Sequence, residues 1–509
     1  MQRRPLVLLG NVGVGKSIFL KHFFRVEAPD LLDHSLVFFL DFLTDAGLLT
    51  DFQGKLVATV TESLSEQYGI DIHEGAFIKA TYNRERNQFK KGLFGELREA
   101  DPDEYARQER AMLLGHSQKQ QEHLRRSLEH LGGTRRLDFV LVVDNVDHHT
   151  RDDQEKIFIL SESLASTWPF AVFLSLRPDT FYESRREGAL AAYQPRVFTV
   201  EPPRTDLVIA KRLKFAQAQL EETGRLGTFP TGLQIDSSSL LAYIDVLIEG
   251  FDRNEALKEM VDNLSSGNIR QALDFLSRFV GSGYFGTARV LEVAERGEIY
   301  TLPVHEFLRA IIFGPYAHYL PASSTIVNLF DVSTNDAGEH FLLSMILASC
   351  ESRGEATTHG FVEEMRLYEE FQALGFVLQQ VQAQLDRALS RGLLEVSGDN
   401  PTLRSLRITA AGAYMYKKLL HNFTYVDAMI DDTPIVDVDF RGKMHLARTL
   451  PERLERVGLF ADYLDASWAF EQGVTTFSWP DSAAHLRRDL TLTAERATRS
   501  AARSSSRRS

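Results

Sequence analysis

The sequence predicts an α/β chain, with a parallel-sheet core near the N-terminus followed by a largely helical region. Three observations carry that expectation. First, short apolar, β-branched-rich runs at residues 5–9, 36–40, 139–143, 171–174 and 196–200 read as strands buried on both faces. Second, a glycine-rich loop, Gly10-Asn11-Val12-Gly13-Val14-Gly15-Lys16-Ser17, separates the first run from a helical pattern over 17–24. Third, from Thr205 onward Leu207, Ala210, Leu213 and Ala216 recur at the spacing of one helix face. No internal repeat interrupts this order, and no stretch approaches the length of a membrane span.

Composition narrows the class. At 509 residues, 44% hydrophobic and 25% charged, the chain has the make-up of an ordinary globular protein of several domains. A net charge of −13 argues against a general basic coat for non-specific nucleic-acid binding, while leaving room for a local patch. The single cysteine, Cys350, can form neither an internal disulfide nor a multi-cysteine zinc site. It fits a reducing compartment, so a cytoplasmic location is expected, with the thiol acting as a small buried hydrophobe. The opening residues mimic a secretory leader, with Arg3-Arg4 before an apolar run, but that run is short and leads into the glycine loop.

The loop matches G-x-x-x-x-G-K-[ST] in full. Glycines allow backbone N–H groups to turn inward around phosphate oxygens, Lys16 reaches the terminal phosphates, and the Ser17 hydroxyl coordinates Mg2+. Residues 10–17 are therefore read as the phosphate-binding loop of a P-loop NTPase, with ATP the expected nucleotide. The run 139–143 ends in Asp144, the expected second anchor for Mg2+.

On these motifs the chain resembles the AAA+ and STAND branches of P-loop ATPases. In those families an acidic residue usually follows the magnesium aspartate at once and polarises the attacking water. Here the order is Asp144-Asn145-Val146-Asp147. Asn145 can orient a water but cannot accept its proton, so Asp147 or Asp41 must serve, or hydrolysis is slow. Asp147 is the first choice; its alternative role is a helix N-cap for the segment starting near Asp152. The resemblance makes Ser175 and Arg177 a sensor beside the γ-phosphate, and Arg185 or Arg186 either a finger toward a neighbouring subunit or an exposed helix end. The segment 266–276, Ser-Gly-Asn-Ile-Arg-Gln-Ala-Leu-Asp-Phe-Leu, resembles the second sensor helix of origin-recognition, helicase-loader and clamp-loader ATPases. By that resemblance Arg270 couples a helical lid to the γ-phosphate.

Further on, helical patterns at 337–349, 365–374 and 377–391 precede two short strands, 393–396 and 403–409, joined by Gly398-Asp399-Asn400-Pro401, the order of a winged helix. The outward face of its third helix is expected to present Gln379, Gln380, Gln382, Asp386, Arg387 and Arg391, with Arg404 and Arg407 on the wing. Glutamine and arginine can read base edges, yet the face is barely basic, so DNA and a protein partner both stand as expectations.

The domain reading is an AAA+-like core over 1–204 with a helical insertion at about 51–131, a helical lid over 205–285, a connector over 286–336, a winged-helix domain over 337–425 and a C-terminal extension over 426–486. Residues 487–509, with seven arginines, two acids and clustered serines, read as a disordered basic tail. AAA+ proteins usually precede the first strand with a segment that helps hold adenine. Here few residues do so, which leaves either an internal start or adenine held by lid and insertion. The function expected is an ATP-binding, ATP-hydrolysing regulatory or assembly switch, acting on DNA or in phage defence, as a homo-oligomer or with a partner protein and without a membrane. The alternative is a DNA-binding or scaffolding winged-helix protein with a structural, nearly inactive ATP site; a small-molecule kinase ranks third.

Overall fold

Five of the apolar runs form one parallel sheet in the computed structural model, which describes residues 4–43, 46–187, 190, 193–223, 237–282, 302–355, 360–397 and 404–506. The strands are β1 (Leu6–Leu9), β2 (Ser35–Asp41), β3 (Asp138–Asp144), β4 (Phe170–Leu176) and β5 (Arg196–Thr199), in the order β2-β3-β4-β1-β5. Alternate side chains face opposite layers. Leu8, Val37, Val140 and Val142 pack with Leu20 and Phe24 on one face. Val7, Leu9, Phe38, Leu40, Leu141 and Val143 pack on the other. Both faces are buried, which is why the runs read as continuous apolar sequence.

The chain forms two units, residues 1–201 and 202–509. In the first, α1 (Lys16–His22) and its π-helical continuation Phe23–Glu27 cover one sheet face. Between β2 and β3 run α2 (Phe52–Glu66), α3 (Gly75–Thr81), α4 (Asn83–Lys91), α5 (Pro102–Ser117) and α6 (Gln120–Arg135). Asp51 accepts from the Gly54 N–H at the start of α2, and Asp101 accepts from the Glu104 N–H ahead of α5, so both helices begin on side-chain caps. Leu124, Leu128 and Leu131 of α6 join the sheet core, together with Ile157, Phe158 and Leu164 of α7 (Arg151–Thr167). After β4 comes α8 (Pro178–Glu187).

The second unit contains α9 (Thr205–Thr223), α10 (Ser237–Arg253), α11 (Glu255–Ser265), α12 (Ile269–Gly281) and α13 (Val304–Phe313). Next come α14 (Leu342–Arg353), β6 (Val362–Glu363), α15 (Glu364–Ala373), α16 (Leu378–Ser390), β7 (Leu394–Ser397) and β8 (Ser405–Ile408). The strands pair antiparallel in the order β6-β8-β7, which gives the winged-helix arrangement. The loop Gly398-Asp399-Asn400-Pro401 and residues 286–301 of the expected connector lie outside the described residues. A single buried core runs from Ile209 through the winged helix to Leu486, so the segments expected as lid, winged helix and extension share one interior. Ser266 Oγ, just beyond α11, accepts from the Ala411 N–H at 3.0 Å at the edge of that interior.

Two expectations need correcting. Residues 487–506 of the expected tail belong to α19 (Trp479–Ser506), which follows α17 (Phe423–Ile430) and α18 (Leu450–Ser467), and residues 507–509 lie outside the described residues. Arg487 bridges Asp462 and Asp465 of α18, and Asp489 accepts from the Phe423 N–H, so the basic run is helical and anchored where a disordered tail was expected. On α16 the expected outward face is partly turned inward. Gln380 is buried and donates to Thr334 Oγ1 (3.0 Å) and Asp336 Oδ2 (3.1 Å). Arg387 pairs with Asp331, and Arg391 donates to the carbonyls of Pro321 and Ser324. On the wing, Arg404 pairs with Glu364 and Arg407 with Glu395. Gln379, Gln382 and Asp386 remain exposed, as does Arg391 despite its hydrogen bonds.

Buried histidines give this fold an expected acid sensitivity. His123 shares hydrogen bonds with the Tyr82 hydroxyl (3.1 Å) and the Ile72 carbonyl (3.0 Å), and His340 with Phe330 O and the Tyr463 hydroxyl. Burial holds both below the ordinary histidine value of 6.5. A base with a depressed folded pKa binds its proton more readily when unfolded. Stability from these sites is therefore complete above pH 6.5 and falls as pH drops from there toward the folded values. Urea midpoints are expected to fall between pH 7.5 and 5.5, and to fall less in His123→Gln. The Cys350 thiol is buried and pushed up to about 12 by that burial, with Glu370 adding to it, as suits an inert packing residue.

Candidate nucleotide site

The site is built at the C-terminal edge of the sheet, where the loop after β1 meets the ends of β3 and β4. Gly10 donates its N–H to Leu176 O at 3.3 Å, and a Cβ there would stand 2.8 Å from Val14 Cγ2 and 3.2 Å from Val200 O. Gly13 and Gly15 have φ of 80° and 93°, a region open to glycine at little cost. The loop thus folds back over itself only with these glycines, and Asn11, Val12 and Val14 complete it between them.

Lys16 follows immediately and is buried. Its Nζ donates to Gly10 O (2.6 Å), Asn11 O (3.3 Å) and Asp147 Oδ2 (3.1 Å). Ser17 is half-buried beside it. Asp144 ends β3, where its Oδ1 accepts from the Asn145 N–H at 2.9 Å and its carbonyl accepts from the Phe42 N–H at 3.2 Å. Asn145 takes a left-handed φ of 59° and donates its side-chain amide to Asp41 Oδ1 at 2.6 Å. Asp41 and Asp144 are register partners at the ends of β2 and β3, so adjacency of the strands creates that pair. Asp41 and Asp144 also line a cleft of about 380 Å³, with Lys21 and Arg25 among its other walls.

Asp147 lies in a single helical turn, Val146–His148, and is 6% exposed. It does not cap the following helix: Thr150 does, accepting from the Asp153 N–H. Arg177, at the end of β4, brings its Nε to 3.7 Å from Asp147 Oδ2, an ionic contact too long for a hydrogen bond. Ser175 is fully buried, and its hydroxyl has no hydrogen-bond partner among the described residues. The fold thus unites Lys16, Asp147 and Arg177, three residues singled out in sequence, in one charged cluster. Arg185 is exposed on α8, and the Arg186 side chain lies outside the described residues. Arg270 belongs to the second unit, exposed at the start of α12, where Asn268 Oδ1 caps the helix by accepting from the Gln271 N–H. Sequence reasoning missed the ties that fix the Asp147 turn: His149 Nε2 with Phe42 O (2.9 Å), and Gln154 Nε2 donating to His149 O (2.8 Å). His149 and Gln154 had no local motif to reveal them.

The residues fit a nucleotide phosphate chain and a hard cation. The loop's turn depends on left-handed backbone at Gly13 and Gly15 and on a close approach at Gly10, and the buried Ser175 hydroxyl has no hydrogen-bond partner among the described residues. Ser17 and Asp144 offer the hydroxyl and carboxylate oxygens that Mg2+ prefers. Fold and loop together give a five-stranded parallel α/β core that carries a Walker-type phosphate-loop sequence, followed by a helical unit with a winged-helix arrangement of strands.

No model of a known protein family matches the sequence, and none of the curated proteins matches it. Among solved structures, Cdc6p from Pyrobaculum aerophilum is 13% identical over 85% of this chain and 90% of its own, with a TM-score of 0.29. The ORC2 protein of Aeropyrum pernix in its ADP form is 11% identical over 82% and 86%, with a TM-score of 0.36. A Walker-type ATPase of Pyrococcus abyssi is 13% identical over 81% and 91%, with a TM-score of 0.28. At these values nothing about activity or partners passes to this chain, and the site stands on its own residues. Among the described residues no helix is long and apolar enough to cross a membrane.

Proposed function

We propose that this chain is an ATP-binding switch that hydrolyses ATP slowly. The observation that carries the reading is the charged cluster of Lys16, Asp147 and Arg177 beside a loop whose Gly13 and Gly15 take left-handed backbone. The backbone of residues 10–17 cradles the phosphates, Lys16 holds the terminal ones, and Ser175 and Arg177 meet the γ-phosphate. Ser17 and Asp144 would hold Mg2+, which supplies charge neutralisation on the phosphate oxygens. Slowness follows from Asn145, which stands where a proton acceptor would act most directly and commits its amide to Asp41. Because the helical unit has one continuous interior, nucleotide-driven change is expected to move it as a body, without hinging inside it. Arg270→Ala tests the sensor role that its motif implies.

The second reading, a structural site with negligible turnover, draws on the same Asn145. The commitments of Gln380 to Thr334 and of Arg387 to Asp331 favour a protein partner over DNA for the winged helix in either case. The discriminating experiment follows release of labelled phosphate from γ-labelled ATP with Mg2+. Turnover in the wild type, lost in Lys16→Ala, supports the switch. Stoichiometric ATP binding without any turnover, with or without added DNA, supports the structural site.

A further inference from the structure

We infer that Asp147 is an internal rival of the terminal phosphates for Lys16, so that nucleotide enters by displacing a carboxylate. The inference rests on the nucleotide reading above and assigns Asp147 a role apart from proton acceptor. An ammonium group has three donors, and Lys16 Nζ has three acceptors: Gly10 O, Asn11 O and Asp147 Oδ2. A phosphate oxygen must therefore take the place of one of them. Two are carbonyls of the phosphate loop itself, placed by its fold. The third is a side-chain anion, and the approach of phosphate brings like charge against it. With the two side chains 8% and 5% exposed, solvent screens that repulsion little.

The turn carrying Asp147 is tethered at both ends to the end of β2, through Asn145 to Asp41 and through His149 to Phe42 O. Displaced from Lys16, the Asp147 side chain must rotate on that tethered turn or drag the turn against β2. Arg177, 3.7 Å from the same Oδ2, loses its counter-charge in the same event and is left to face the incoming phosphate. The site therefore favours ligands whose phosphate chain reaches Lys16 with enough charge to replace a carboxylate: nucleoside di- and triphosphates and pyrophosphate, over monophosphates. Asp147 is here a positioning and specificity residue.

The test measures the affinity of full-length protein for ATP, ADP and pyrophosphate by calorimetry in the wild type, Asp147→Asn and Asp147→Ser, with thermal unfolding to verify folding. Asp147→Asn is expected to tighten all three ligands by about tenfold, with Asp147→Ser moving in the same direction. Unchanged or weaker affinity in the folded variants overturns the proposal and leaves the nucleotide reading standing; loss of turnover at unchanged affinity makes Asp147 the proton acceptor instead. Absence of binding by the wild type and both variants overturns the nucleotide reading, and the proposal with it.

Discussion

Lys16→Ala is expected to weaken ATP binding by about two orders of magnitude or more, equivalent to roughly 3 kcal/mol for one charge-assisted contact to phosphate. It should also destabilise the protein without nucleotide. Asp147, 5% exposed at its side chain, loses its hydrogen-bonded cation and, among the described residues, keeps the longer ionic contact to Arg177. Leaving a buried carboxylate under-paired costs about 1–3 kcal/mol. The two effects separate in a thermal unfolding series. Saturating ATP at a hundred times its Kd adds about 2.7 kcal/mol to a protein that binds it. The wild-type unfolding temperature should rise with ATP, whereas the variant starts lower and barely responds.

Asp427→Ala is expected to produce the largest loss of stability, about 3–5 kcal/mol, because it removes the buried carboxylate shared by two arginines, one of them buried. Asp427 is 4% exposed and its carboxylate receives Arg453 Nε at 2.8 Å and Arg456 Nη2 at 2.9 Å. Arg456 is itself 6% exposed and keeps only Asp431 Oδ1 (2.7 Å) as a second carboxylate. These residues join α17 to α18 inside the core of the second unit, so the loss should appear as a lower urea midpoint for that unit. A shift below about 1 kcal/mol would mean that water reaches the pair and screens it as it does surface bridges.

The parts of the site that share a short stretch of sequence were legible before the fold was known. The loop 10–17 carries its chemistry in its own spacing, and Asp144, Ser175 and Arg177 each follow an apolar run whose end marks the sheet edge. Pairings between distant strands were not legible. Asp147 reaches Lys16 across 131 positions, and Asn145 meets Asp41 across 104, contacts that exist only because of the strand order. The candidate list for the site therefore named Lys16, Asp147 and Arg177 without their pairing, which only the fold supplies.

The winged helix shows the complementary limit. Helical spacing turns Leu378, Val381, Leu385 and Leu389 inward; the structure buries Val381 and Leu385, half-buries Leu389 and leaves Leu378 exposed, and spacing cannot tell which of the remaining side chains another segment will cover. The segment holding Pro321, Ser324, Asp331 and Asp336 has no periodicity to announce that it would claim Gln380, Arg387 and Arg391. At the C-terminus a compositional window beginning at Arg487 cut through a helix whose apolar stripe, Trp479, Ala483, Leu486 and Leu490, starts before it. Composition suggested disorder; the stripe, read from its own beginning, signals a docked helix.

The central claim is that the loop 10–17 binds nucleotide through Lys16, and calorimetric titration of the full-length protein with Mg2+ and ATP tests it most directly. The account predicts one ATP per chain in the wild type and no measurable binding by Lys16→Ala at the same concentrations. Equal binding by the two proteins, or none by the wild type, would contradict it.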